Sequence, residues 1–267
     1  MSVYNVVSIA GSDPSGGAGI QADLKSFSAH GVFGMSVVTA LTAQSTRGVT
    51  GVHGVPASFV TAQMDTLFED ATVHAVKVGM LGTAEVTEAV AAAIDRHALP
   101  NVVVDPVMVA KSGDRLLERA AMEALRTELL PRADLITPNL PEAADLLDEK
   151  EATDLDTMRA QAERLLALGP RRVLIKGGHL PGDESVDLLV DGVSEPLELR
   201  APRVATRNTH GTGCTLSSAI AALLPQSPGV AIAVSDAKTW LTEALHRADE
   251  IDAGGGQGPV HHFHLWW

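Results

Sequence analysis

Four short segments constrain the fold of this chain more than anything else in it: "AVKVGM" (75–80), "NVVVDPV" (101–107), "ADLITPN" (133–139) and "RRVLIKGG" (171–178). Each is a compact apolar run that ends at once in Gly, Pro or a polar turn, which is the pattern of a strand. The apolar character is continuous rather than alternating. Such strands are buried on both faces, as in a mostly parallel sheet covered by helices. "YNVVSIA" (4–10) and "FGMSVVTALTA" (33–43) read as two more strands, and "GVTGVHGV" (48–55) as a short pair of edge strands. Helical patterns fall between them at 17–30, 57–70 (opened by Pro56), 83–98, 115–129, 140–148 and 155–168, with two more at 212–224 and 229–250. "VDLLVDG" followed by "EPLELRAP" predicts a β-hairpin, a local antiparallel edge. The alternation predicts one doubly wound α/β domain over residues 1–267.

Hydrophobic residues make up 45% of the chain and charged ones 20%, enough for a large core. The formal net charge of −13 argues against nucleic acid and anionic membranes as partners, because phosphate polymers select basic patches. A nucleotide can still bind such a chain through backbone N–H groups, a few lysines and Mg²⁺. One cysteine cannot form an internal disulfide, which fits a reducing cytoplasm. "MSVYNVVSIAGSD" lacks the basic and long apolar regions of a signal peptide, and no apolar run has the length of a membrane helix. A cytoplasmic protein is the expectation.

In open α/β sheets ligands bind beyond the carboxyl ends of the strands. That rule selects the turns at 11–19, 43–47, 79–82, 105–112, 139–142 and 176–179, which hold a large share of the chain's distinctive polar residues. In "GSDPSGGAGIQAD", Gly17, Gly19 and Ala22 match the dinucleotide fingerprint G-x-G-x-x-A. The second strand, however, runs into Thr42-Ala43-Gln44-Ser45 without the ribose-binding acid, so an NAD site is disfavoured. Asp13 and Asp23 beside these glycines point instead to a small-molecule pocket. Asp105, in "VDPVM", is a turn residue or a functional carboxylate at a strand end. Asn139 and Glu142, three residues apart in "TPNLPEAADLL", suit either an N-terminal capping arrangement or an oxygen-rich corner for Mg²⁺. Lys176, in "LIKGGH", ends a buried strand at the same edge. In "NTHGTGCTLSSAIAALL", Gly211, Thr212, Gly213 and Cys214 open an apolar helix whose free N–H groups form an anion site. That position should also favour the Cys214 thiolate; the alternative is a small buried thiol. No Walker motif occurs. "HHFH" (261–264) lacks metal-ligand spacing and reads as a docking tail.

Taken in order, "SIAGSDPSGGAGIQADLKSF", "TALTAQ", "VKVGML", "VDPVMVAKSG", "TPNLPEA", "IKGGH", "NTHGTGCTLSSAIAA" and "GPVHHFH" resemble the ribokinase-like superfamily, and within it the hydroxymethylpyrimidine/phosphomethylpyrimidine kinases of thiamine biosynthesis. The match spans nearly the whole chain. It implies a ribokinase-like three-layer sandwich and ATP- and Mg²⁺-dependent phosphorylation of 4-amino-5-hydroxymethyl-2-methylpyrimidine, then of its monophosphate. Superfamily members usually carry Asp as the catalytic base; Cys214 stands there in this chain, as in the pyrimidine kinase branch. The resemblance implies that Cys214 takes the proton of the hydroxymethyl group and that the N–H groups of Gly211 and Gly213 stabilise the phosphoryl in transfer. A thiol carries less fixed charge than a carboxylate, which suits an anionic second substrate. By the same resemblance Asp23 and Gln44 read the aminopyrimidine edge, with Gly11, Met80 and Val107 shaping its pocket. Asp105 and Glu142 hold Mg²⁺, while Asn139, Lys176, Thr206, Thr212 and Lys238 lie along ATP. Superfamily members are often homodimers, and the 48–55 edge permits pairing. A pyridoxal kinase would use the same transfer machinery, with Gln44 and Met80 favouring the pyrimidine. A non-catalytic binding protein should have lost one of Asp105, Glu142, Lys176 or Cys214.

Overall fold

The computed structural model describes residues 3–108 and 119–267. Its centre is an eight-stranded sheet built from β1 (Asn5–Ala10), β2 (Phe33–Val38), β5 (Ala75–Val78), β6 (Val102–Val104), β7 (Leu135–Ile136), β8 (Val173–Lys176), β9 (Glu184–Val190) and β10 (Leu197–Pro202). The spatial order is β10-β9-β8-β7-β6-β5-β1-β2. The pairings from β2 across to β8 are all parallel; β9 pairs antiparallel with β8 and with β10. Every residue of β5 and β6 is buried, as continuous apolar runs require. The predicted hairpin is β9–β10.

Helices cover both faces. On one face α2 (Ala57–Asp70), α3 (Ala84–Arg96), α4 (Arg119–Ala124), α5 (Leu140–Leu147) and α6 (Leu155–Leu166) pack Val60, Met64, Val90, Leu146 and Met158 into one core. On the other, α1 (Gly19–Ala29), α7 (Thr212–Leu223) and α8 (Val230–His246) bury Phe27, Ile220, Val234 and Trp240. The residues of α7 from Thr215 to Ala222 are all buried. A helix lying on a sheet between two other helices has no solvent face, so its run of Ser, Ala and Leu lets all its neighbours approach closely.

Two details differ from the sequence reading. The strand expected over 33–43 is two strands, β2 and β3 (Ala40–Ser45). At Thr39 the chain leaves the main sheet, its hydroxyl donating to the Met80 carbonyl at 2.7 Å, while Gln63 bonds both backbone groups of Val38. The segment expected as a pair of edge strands is a single strand, β4 (Gly48–Gly54), antiparallel to β3 in a separate two-stranded flap. Apolar periodicity does not mark where a strand changes sheets. The helix expected over 115–129 is α4 continued by a π turn, Leu125–Leu129; its first residues, 115–118, and the "AKSG" of 110–113 lie outside the described residues.

The tail docks on the body: Val260, His261, His262 and His264 are buried, and His262 hydrogen-bonds Thr215 of α7 at 3.0 Å. Far from these features, Asp154 caps α6 by accepting from the Thr157 N–H at 2.8 Å. Asp154→Ala should lower stability by about 1 kcal/mol in urea melts and leave any ligand binding unchanged.

Candidate active site

The carboxyl ends of β1, β5, β6, β7 and β8 open into a cavity of about 790 Å³, roofed by the β3–β4 flap and closed by the first turn of α7. The turn after β1 is fixed by Asp13, 1% exposed, whose carboxylate accepts from the N–H groups of Ser15, Gly17 and Ala18, the Ser15 hydroxyl, and His210. Burial alone would raise this carboxyl. The His210 hydrogen bond, with those from Ser15 and Ala18, outweighs burial and holds it at about 2. The turn before α7 abuts the same loop. Gly211 has φ +73°, and a Cβ there would collide with the Gly17 carbonyl oxygen. Only glycine satisfies both conditions.

That contact aims the start of α7 into the cavity. Gly211 is the N-cap and supplies no side-chain acceptor, so first-turn N–H groups stay turned to the cavity. At Gly213 an added Cβ would stand 3.3 Å from Lys176 Nζ and 3.6 Å from Asp105 Oδ2. This is the space an anion would fill, between a helix N-terminus and an ammonium.

Asp105 follows β6 and is 2% exposed; its Oδ1 accepts from Lys176 Nζ at 3.0 Å and from the Thr137 hydroxyl at 3.1 Å. Burial opposes its charge, but the ammonium groups of Lys176 and Lys77 prevail and hold it below the usual carboxylate range. Burial also opposes the charge on Lys176; Asp105 and Glu142 prevail and raise it. Asn139 and Glu142 form a full capping box on α5: Glu142 N–H donates to Asn139 Oδ1 at 2.9 Å, and Asn139 N–H to Glu142 Oε2 at 2.7 Å. The capping reading is therefore realised, and it does not exclude the other. Glu142 still lines the cavity with its Oε2 3.9 Å from Lys176. Burial, reinforced by Asp105 and Asp145, pushes its carboxyl up to about 7.

Gly11, Gln44, Met80 and Val107, expected on the substrate side, line the same cavity, as do Asn139, Lys176, Thr212, Gly213, Cys214 and Lys238. Thr42 donates to Gln44 Oε1 at 3.3 Å, and Gln44 Nε2 lies 3.4 Å from His210 Nε2. Lys238 is tied at 2.6 Å to Asp187, which also accepts from the Gly177 N–H.

Three expectations need correction. Asp23 does not face the cavity. It is fully buried, and its two oxygens are taken by Lys77, Ser8 and Ser218, so nothing remains to read a pyrimidine. Thr206 is not at the cavity either; its hydroxyl donates to Asp249 and accepts from the Asn208 N–H. The Cys214 thiol is pushed up, to about 11, rather than down. Burial dominates, Asp23 and Asp105 add to it, and Lys77 and a Gly19 backbone hydrogen bond oppose it. The start of a helix favours a thiolate only where solvation is not lost with it.

Among the cavity residues that sequence reasoning missed are His210 and Lys77. His210 stands in the glycine-rich turn but draws its meaning from Asp13, nearly two hundred positions away. Lys77 lies inside an apolar strand, and that lone charge in "AVKV" was a usable signal.

The arrangement defines a class: a doubly wound α/β protein in which a helix start, Lys77, Lys176 and Lys238, and carboxylates that include Asp105 and Glu142 face one small-molecule pocket, a set suited to phosphoryl transfer. The family model for phosphomethylpyrimidine kinase matches residues 13–261, and the chain belongs to that family. It is 53% identical over 267 residues to a hydroxymethylpyrimidine/phosphomethylpyrimidine kinase of Escherichia coli (strain K12), covering all of both chains. Among solved structures it is similar to the phosphomethylpyrimidine kinase of Clostridium difficile 630, with TM-score 0.80, 42% identity, and 91% and 99% of the two chains covered. It is also similar to an ADP complex of Bacillus subtilis pyridoxal kinase, with TM-score 0.91, 37% identity and 99% of each chain covered.

Cys214 lines the cavity, so its ionisation can be read directly. Its alkylation by iodoacetamide should be slow near neutrality and rise about tenfold per pH unit toward 11. A plateau near pH 8 would show a free, solvated thiol instead.

Proposed function

We propose that this protein is an ATP-dependent kinase that phosphorylates 4-amino-5-hydroxymethyl-2-methylpyrimidine and then its monophosphate, in thiamine biosynthesis. One observation carries the reading: a single cavity joins the Gln44–Met80–Val107 pocket to the N–H groups at the start of α7, with Lys176 and Asp105 beside them. The names of the relatives support the substrate, and the ADP complex of a relative supports a nucleotide as donor.

In this reading the pyrimidine lies against Gly11, Gln44, Met80 and Val107, its hydroxymethyl group toward Cys214. The triphosphate of ATP runs past Asn139, Lys176 and Thr212, with Lys238 at the nucleotide end. The substrate oxygen attacks the γ-phosphorus as the bond to ADP breaks, and the N–H groups of Gly211 and Gly213 stabilise the equatorial oxygens. The hydroxymethyl proton passes to Cys214 Sγ. A thiol titrating near 11 is ionised in about one molecule in ten thousand at pH 7, so the base is scarce but strong. A loose transition state asks little of it.

Asp105 and Glu142 fit a Mg²⁺ that keeps waters and phosphate oxygens as its other ligands, since such ions use one or two carboxylates rather than a full protein cage. Bound there, the ion would neutralise charge on the ATP phosphates. Lys176, shared by both carboxylates at 3.0 and 3.9 Å, holds the pair together without the ion.

We read residues 1–267 as one domain, working in the cytoplasm as a homodimer. The exposed face of β4 supports pairing between flaps, and no described helix is long and apolar enough to cross a membrane. Pyridoxal is a second substrate on this reading, supported by the likeness to a pyridoxal kinase and by a transfer site that contacts the hydroxyl rather than the ring.

The deciding assay follows ATP- and Mg²⁺-dependent formation of pyrimidine mono- and diphosphate, with pyridoxal in parallel. Both pyrimidine products should appear, and kcat should rise with pH above neutrality as the thiolate fraction grows. Cys214→Ala should lower kcat by about 10²-fold or more with little change in KM. Turnover of pyridoxal alone would move the assignment to that substrate, and ATP binding without any turnover would sink it.

A further inference from the structure

Sheet order gives the cavity a direction. It runs from Gly11 after β1 and Met80 after β5, past Asp105 and Lys176, to Ser185 on β9 and Pro202 on β10. At that far end one side chain holds a whole turn. Arg203 follows β10 and lines the cavity, and the turn between β8 and β9 wraps round its guanidinium. Its Nε donates to the Gly182 carbonyl at 2.9 Å and its Nη1 to that of Gly178 at 2.6 Å. Nη2 donates to the carbonyls of Leu180 at 2.6 Å and Glu184 at 3.2 Å. The backbone N–H of Arg203 adds a bond to the Asp183 carbonyl at 2.8 Å. Among the described residues no carboxylate stands at ion-pair distance from this arginine; Glu184 is paired with Arg200 instead.

We propose that Arg203 is a positioning residue for the nucleotide: its cage of carbonyls sets the turn over 178–184 as a preformed wall where the cavity passes Lys176. An exposed arginine that spends four of its five side-chain N–H groups on one turn, with no acid beside it, is not explained by charge pairing. The turn, "GGHLPGDE" (177–184), contains three glycines, and such a segment loses much entropy on ordering. Its start is fixed from the other side, where the Gly177 N–H donates at 3.0 Å to Asp187, the carboxylate that holds Lys238. Gly178 and His179 line the cavity directly after Lys176, and Val204, Leu241 and Leu245 give the lining apolar surface for a base. A wall ordered in advance spares the ligand the cost of ordering it, which raises affinity without touching the reacting atoms. The proposal rests on the site being an ATP site and concerns nucleotide affinity, not proton transfer.

Water can take over the four carbonyls in Arg203→Met, because the residue is exposed. In that variant, with folding checked by circular dichroism, ADP should bind about tenfold more weakly by calorimetry. KM for ATP should rise about tenfold, with KM for the pyrimidine little changed and a smaller effect on kcat. Arg203→Lys keeps the charge, but a compact ammonium cannot span four carbonyls, so it should behave nearly as Arg203→Met does. In the unaltered protein ADP should slow amide hydrogen exchange across 178–184, a readout that needs no variant. Unchanged ADP affinity in folded Arg203→Met, an equal rise in both KM values, or no protection of the turn would overturn the proposal. Full affinity in Arg203→Lys would overturn it too, since charge alone would then suffice. Failure of the unaltered protein to bind ADP would instead overturn the nucleotide reading beneath it.

Discussion

The site depends on one steric contact, the seating of Gly211 against the Gly17 carbonyl. It brings two turns of the chain, each after its own glycine-rich run, close enough to share Asp13 and His210. A side chain at Gly211 would push the start of α7 away from the β1 turn, and the cradle would lose its aim at Lys176. The acidic balance of the chain is immaterial here. The local field at the cradle comes from oriented backbone dipoles and two enclosed ammonium groups, not from net charge.

Among the described residues the buried lysines are held in separate ion pairs rather than in one cluster. Lys176 with Asp105 faces the cavity, Lys238 is tied to Asp187, and Lys77 with Asp23 joins β5 to α1. Neutral pairs keep the desolvation cost of the cavity bearable while leaving a direction to the field. Glu142 has only a share of Lys176, and burial pushes its carboxyl up to about 7.

Most of the fold was legible because double-sided burial leaves unbroken apolar strands, and β5, β6 and β8 show it plainly. The cavity lining was legible at the strand ends, in Asp105 and Lys176, and at the helix start Gly211–Cys214. What could not be read depends on distant partners. Asp23 looks the same in the sequence whether it points into a pocket or to a buried lysine, and only the approach of β5 decides. The thiol's behaviour was misjudged for a similar reason, since a helix start is local but desolvation is a property of the whole enclosure. The departure of β3 from the sheet at Thr39 is set by Met80 and Gln63, neither of them adjacent in sequence.

The docked tail bears on how the molecule comes into being. Gly256 and Gln257 donate to Thr46 in the flap, Gly258 accepts from the His210 N–H, and His262 reaches Thr215 beside the thiol. The contacts to Thr46 join segments 210 positions apart, the kind of closure that is slow in chain entropy and forms after local structure. During synthesis the sheet, α1 and the β1 turn can assemble well before the tail emerges, and residues 256–262 then add the ties to the flap and to α7. Maturation of the pocket is thereby tied to the arrival of residues 256–262, so a polypeptide interrupted before residue 256 would carry the scaffold of the site without its clasp.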